Sequence, residues 1–367
     1  CYVFNFQDPS SPLAIRLPNG RGRMFYEDMK ELLDVLQVEI PKAFSGEEYE
    51  NDKAALIKEY QEKRSEIFNH FTNQALEQGF QVSSTNSGIY FSPIIDGKPL
   101  SEDEYGKLDE KKKEEINNAL TQVQVQGVEV MRHIKDLEKE IKEKLKNLDN
   151  RIGLFAVGMH IDDMKEKYRD IPRIIQYLED FQEDILQNID EFKDNDSDTG
   201  VNLISQLLHK NRGEKLTKYK VNLLVDNSEL EGAPVLVEYS PTYNGLFGSL
   251  EYENKLGTLV TDFTMIKAGL VHRANGGYLI LQAKDILGTP FMWEGLKRVL
   301  KTKTISMENI RDQLGLLTAS TLKPEPIPVE IKVVLVGSEY IYQILCHLDE
   351  EFGKLFKIKV DFDEEME

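Results

Sequence analysis

Cysteine is nearly missing from this chain: Cys1 and Cys346 are the only two in 367 residues. A pair so far apart, with no metal-type spacing, makes neither a disulfide framework nor a zinc site, which suits a reducing compartment. Long apolar runs are missing too. Nothing approaches the ~18 residues needed to span a bilayer, and the start carries no secretory pattern, so the expected setting is cytoplasmic and off the membrane. A surplus of positive charge is also lacking. The formal net charge of -19, from 64 acidic against 45 basic residues, would repel a polyanionic backbone, and nucleic acid is disfavoured as a partner. Neither H-E-x-x-H nor G-x-S-x-G occurs, which removes zinc-protease and α/β-hydrolase readings.

What is present is a globular composition, 40% hydrophobic and 30% charged, in a chain long enough for two or three domains. The opening Y-V-F-N-F alternates like an interior strand. It begins at Cys1 rather than Met, and the far end, D-F-D-E-E-M-E, follows another strand-like run, so both ends read as cut from something larger. From Glu27 the pattern is helical. Pro41 marks an expected break before a second helix that gathers Leu56, Tyr60, Ile67 and Phe71 on one side and stops at Gly79. Residues 80–99 alternate and carry N-S-G and D-G-K-P turns, the signature of a small β-hairpin.

The clearest pattern follows. Ile116, Leu120, Val123, Gly127, Val130, Ile134, Leu137, Ile141, Leu145, Leu148, Ile152, Phe155 and Met159 step by three and four residues, a heptad seam. A helix from about Ser101 to Tyr168 would be roughly 100 Å long and requires a long apolar partner. Ile171 and Pro172 end it and open an amphipathic helix through Phe192. The acidic run from Asp194 to Gly200 lacks EF-hand spacing and reads as a solvated loop rather than a calcium site. From Tyr219 the period becomes strand-like: V-N-L-L-V-D, V-L-V-E-Y, Y-L-I-L, K-V-V-L-V-G and I-K-V-D-F, with a helix around residues 291–301. Strands alternating with helices predict an α/β sheet interrupted by the helical region 27–215.

Gly269 to Gln282, G-L-V-H-R-A-N-G-G-Y-L-I-L-Q, leads through a glycine turn into a strand whose carboxyl end falls on Gln282 and Ala283, where open α/β sheets place their ligands. This stretch resembles the approach to the Walker B strand of AAA+ proteases of the Lon family, especially the B-type and related branch. Asn244 to Glu253 is similar to that family's substrate-touching loop, Pro324 to Ser338 to its sensor 1 strand, and Leu13 to Arg23 to a segment of the branch with a long helical insertion. The resemblance implies an incomplete AAA+ P-loop core with a parallel sheet (1–26 and 216–367). A coiled-coil insertion carrying the hairpin fills 27–215, and the Ser-Lys protease domain of the family lies outside the chain. It further implies ATP and magnesium as cofactors, unfolded or damaged proteins as substrates, and a homo-oligomeric ring, a hexamer.

The residues depart from that family where ATP is hydrolysed. The Asp-Glu pair that holds magnesium and activates water is replaced by Gln282, which has no charge, and Ala283, which accepts no proton. Sensor 1 falls on Ser338 in place of the usual Asn. The arginine-finger region offers Lys354 and Lys357, without the planar fork of arginine. Asp285 could supply a metal ligand after a register shift, although a surface acid or helix cap is the preferred reading. None of the Gly-Lys pairs at Lys98, Lys107 and Lys354 continues into Ser or Thr to make a phosphate loop, which the resemblance places upstream of Cys1. Arg16, Arg21 and Arg23 could cradle phosphate, but a turn held by ion pairs is preferred. His272 likewise reads as a loop-holding histidine before a catalytic one. By resemblance Tyr243, Phe247 and Tyr252 form the substrate pore loop, with Tyr252 the expected exposed contact. The competing reading is a non-catalytic AAA+-like scaffold that binds partners through its long helices.

Overall fold

The computed structural model describes residues 1–85, 88–95, 98–100, 105–106, 108–193, 216–255, 257–307 and 322–362. The Asp194–Gly200 run, Lys107 and the boundary expected at 215 lie outside the described residues. The chain separates into two compact units. One holds the described residues of Cys1–Gln37, His160–Ile185 and Asn195–Glu367, and the other those of Val38–Met159 and Leu186–Asp194.

The first unit is built on short strands. β1 (Tyr2–Val3) lies between β2 (Leu13–Ala14) and β6 (Val221–Asn222), antiparallel to both, with Tyr2 and Val3 buried. V-N-L-L-V-D therefore joins this small sheet, and only by its first two residues. The second sheet is parallel, in the order β15 (Lys332–Val336), β12 (Tyr278–Gln282), β7 (Val235–Glu238). Its central strand is an unbroken apolar run, as a parallel interior strand requires. Leu279 and Leu281 point into a core completed by α5 (Tyr243–Phe247), α7 (Ala283–Gly288) and α8 (Met292–Thr302). The opposite face exposes Val235, Val237, Tyr278, Val334 and Val336.

Glycine fixes where the central strand begins. Gly276 has φ +84°, and a Cβ on Gly277 would stand 2.0 Å from the Pro234 carbonyl oxygen, so no other residue lets β12 start beside β7. Two ribbons flank this core: β8 (Ser249–Leu250) with β11 (Ile266–Lys267), and β9 (Glu253–Lys255) with β10 (Thr258–Val260). The predicted strand I-K-V-D-F does not form. Among the described residues no strand lies alongside to share a ladder, Ile358, Val360 and Phe362 are exposed, and Lys359 is held instead by Glu339 and Asp361 at 2.8 and 2.9 Å.

The second unit is mainly helical. α1 (Arg21–Phe44) enters it from the first unit, starting earlier than Glu27 and passing through Pro41 rather than breaking there. Pro41 lies in the last turn, where losing its N–H deletes a single ladder bond, and the buried Ile40 and Phe44 hold the turn in register. α2 (Glu47–Glu77) runs antiparallel to α3 (Glu110–Lys167), which starts nine residues after the expected Ser101. The contacts prove the direction: Tyr49 donates to Asp149 (2.9 Å), Tyr60 to Glu138 (3.2 Å) and Gln78 to Gln126 (3.2 Å). β3 (Phe80–Thr85), β4 (Gly88–Ile95) and β5 (Lys98–Pro99) form the expected hairpin with one added strand. Phe71, Phe80 and Val123 bury its root. The seam holds through Val123, Gly127, Ile134 and Leu148, but Phe155 and Met159 are exposed, and Gly153 and Val157 are buried in their place. Among the described residues no helix is long and apolar enough to cross a membrane.

Candidate functional site at the carboxyl edge of the parallel sheet

The register brings the predicted site residues to one edge. Gln282 pairs with Val336, and a Cβ on Gly337 would lie 3.1 Å from Ala283 Cβ, so the turn after β15 presses on the end of β12. Ala283 is buried at the first turn of α7, while Gln282, the residue before that helix, makes no side-chain cap. Ser338 opens α9 (Glu339–Leu348), its Oγ accepting from the Ile341 N–H at 3.5 Å. Asp285 lies half-buried in the first turn of α7 and provides no side-chain cap.

An acid that sequence reasoning passed over shares this edge. Glu238 ends β7 one residue below Gln282 in the register, opposite Leu281, and its Oε1 accepts from the N–H groups of Tyr239 (3.0 Å) and Ser240 (3.1 Å). A carboxylate terminating an apolar strand, V-L-V-E, was the signal that could have found it. The edge thus presents an amide, a methyl group, a hydroxyl already capping a helix, the half-buried carboxylate of Asp285, and the Glu238 carboxylate bound to two backbone donors. Magnesium–triphosphate chemistry takes one carboxylate for the metal and one for water, and neither Gln282 nor Ala283 at the end of β12 provides one. Among the described residues no group of three acidic, His or Cys side chains has a metal-holding arrangement.

Lys354 and Lys357 are both exposed, Lys354 on α10 (Phe352–Leu355). The buried cation nearby is Lys297. Its Nζ meets Glu294 at 2.8 Å and Asp349 at 2.9 Å, Asp349 also accepts from Trp293 Nε1 at 2.7 Å, and Lys301 pairs with Glu351. Burial pushes the Asp349 carboxyl up, but hydrogen bonds from Lys297, Trp293 and the Glu351 N–H outweigh it and bring the carboxyl down to about 2. This network fixes α8 to the segment that carries α10. The spacing of Trp293 and Lys297, one helical turn apart, was legible in W-E-G-L-K; burial was not.

The expected substrate loop divides. Tyr243 and Phe247 are core residues, their rings 4.8 Å apart, and Phe247 packs so closely on Gly295 that a Cβ there would approach it to 2.9 Å. Tyr252 is half-buried next to the β9–β10 ribbon, which exposes Leu259.

His272 ends as the structural reading has it. It lies in α6 (Leu270–Arg273), 5% exposed, and its Nδ1 accepts from the Gly269 N–H at 3.2 Å. Nε2 must then carry the proton, and it is buried without a hydrogen-bond partner among the described residues. Burial pulls its pKa down to about 4. The arginines also follow the ion-pair reading: Arg21 forks onto Asp170 at 2.9 and 3.1 Å, Arg23 joins Glu27 and Asp226, and Arg16 is exposed.

Comparisons with known proteins place the parallel sheet within a matched AAA domain. Residues 231–363 match the family model of a LonB-like AAA domain, and residues 1–32 that of a Lon-like LonC helical domain. Two bacterial proteins, each named "Putative Lon protease homolog", are similar over part of the chain. That of Escherichia coli (strain K12) is 32% identical over 97 residues, covering 25% of this chain and 14% of that protein. That of Haemophilus influenzae is 29% identical over 130 residues, covering 35% of this chain and 20% of that protein. The matched stretches thus span well under a quarter of either relative.

Proposed function

We propose that this chain, Lon-like in its AAA domain and its first 32 residues, handles polypeptide substrates for a Lon-type ATP-dependent serine protease. The observation that carries the reading is the edge of the parallel sheet, where the chain keeps the strands and turns of an AAA site but sets Gln282 and buried Ala283 where acids would serve. ATP binding is a general property of AAA domains, and here the site is degenerate in its Walker B pair. In this proposal nucleotide and magnesium chemistry do not run on the residues of this edge. Ser338, Lys354 and Lys357 are its polar remnants, and unfolded or damaged proteins are gripped at Tyr252. Copies assemble as a cytoplasmic ring, a hexamer, with peptide cleavage by a Ser-Lys pair in the whole protein. The long helices of the second unit form the coiled-coil insertion.

A non-catalytic scaffold is the second reading, favoured by one observation: Ala283 is sealed beneath Gly337 and leaves no room for a water-activating acid. Substrate contact separates the two. A photocrosslinking residue at Tyr252 should capture unfolded casein, and the same residue at exposed Tyr340 should not. Equal capture at both positions, or none at Tyr252, would sink the substrate-handling reading and leave the scaffold.

A further inference from the structure

A cleft of about 730 Å³ opens at the amino ends of β7 and β12, the side of the sheet opposite Gln282, lined by residues of the first unit alone. That volume lies in the roughly 300–1,000 Å³ range of sites for small ligands and short segments. Leu224, Leu230 and Leu236 contribute its apolar lining, and Arg23, Asp226, Glu229 and Arg273 its charges.

The charges are not equally engaged. Arg23 is spent on Glu27 at 2.7 Å and Asp226 at 3.0 Å, and Asp226 also accepts from the Ser228 N–H at 3.0 Å. Arg273, the last residue of α6, is exposed, and its guanidinium has no ion pair or hydrogen bond among the described residues. One free planar fork therefore shares the cleft lining with the leucines and two carboxylates. A polyphosphate would meet Asp226 and Glu229 and be repelled. A single carboxylate fits the fork bidentately, an apolar side chain fits the leucines, and the acids can accept from amide N–H groups.

We propose that this cleft binds the carboxyl-terminal residues of a polypeptide, with Arg273 holding the terminal carboxylate and Leu224, Leu230 and Leu236 receiving an apolar last side chain. Capture of a chain end by a charged fork beside an apolar pocket is a known mode of peptide recognition. The proposal rests on the polypeptide-handling reading only for the class of ligand.

The test is fluorescence anisotropy on the 367-residue chain with a labelled octapeptide ending in Leu-Leu, as the free acid and as the amide. The free acid should bind about ten-fold tighter or more, a difference of roughly 1.4 kcal/mol. Arg273→Gln should bring the acid to the level of the amide, and Arg273→Lys should retain part of the difference. Arg273 is exposed, so neither change threatens the fold, and circular dichroism checks this. Equal binding of acid and amide, no binding of either, or an unchanged Arg273→Gln variant overturns the proposal. So does displacement of the peptide by tripolyphosphate at lower concentration than by acetate, which would make the cleft a phosphate site. Failure here leaves crosslinking at Tyr252 untouched, and loss of that crosslink leaves the acid–amide comparison standing.

Discussion

His272 shows how a single side chain can carry a loop and a pH dependence together. Its Nδ1 can accept from Gly269 only while the ring is neutral, and protonation there would break the bond and leave a buried cation. The folded-state pKa, about 4, lies below the ordinary value of 6.5, so the unfolded chain takes up the proton first as pH falls. Stability from this group is complete above pH 6.5 and is lost between there and about 4, to a total near 3 kcal/mol. Urea unfolding should therefore show a steeper loss from pH 7.5 to pH 5 in the wild type than in His272→Asn. The variant should start about 1 kcal/mol lower through the weakened cap. Parallel pH profiles would refute the assignment.

Element by element, the sequence carried period better than register or neighbours. The Tyr278–Gln282 strand, the hairpin after Gly79 and the helix starting at Pro172 were legible because apolar spacing and turn residues act locally. Pro41 misled because one lost N–H costs little in a last turn anchored by Ile40 and Phe44. Phe155 and Met159 misled for a geometric reason: a straight helix turns every 3.6 residues, so a strict heptad stripe drifts by about 20° each repeat. Over the length of α3 that drift moves the buried face onto Gly153 and Val157. Packing against the sheet was the legible alternative for Phe247, but its close contact with Gly295, about fifty residues away in sequence, was not. Seam register has a direct test. A Cβ at Gly127 would meet Phe91 Cζ at 3.0 Å and Phe71 Cζ at 3.2 Å, so Gly127→Leu should cost about 1–3 kcal/mol despite leucine's higher helix propensity. Phe155→Ser, on the exposed side, should stay within about 0.5 kcal/mol. Thermal unfolding followed by far-ultraviolet circular dichroism compares them, and a reversed order would put Phe155 back in the seam.

At the scale of the whole molecule, placement of charge decides what chemistry is possible. The chain carries a formal charge of -19, yet the end of its central parallel strand offers the uncharged Gln282 and Ala283, and the neighbouring Glu238 is already bound to two backbone donors. Phosphoryl transfer depends on positioned charge, and loss of a metal ligand or general base commonly costs orders of magnitude. The 367-residue chain, supplied with ATP and magnesium, should release phosphate no faster than a buffer blank. Gln282→Asp alone should leave it there, because Ala283 still provides no base. Adding Ala283→Glu forces a carboxylate into a buried position against Gly337, so the double variant should unfold at lower urea concentration rather than gain turnover. Phosphate release by the wild type that Glu238→Gln abolishes would contradict this, and would move the reacting acid from the end of β12 to the end of β7.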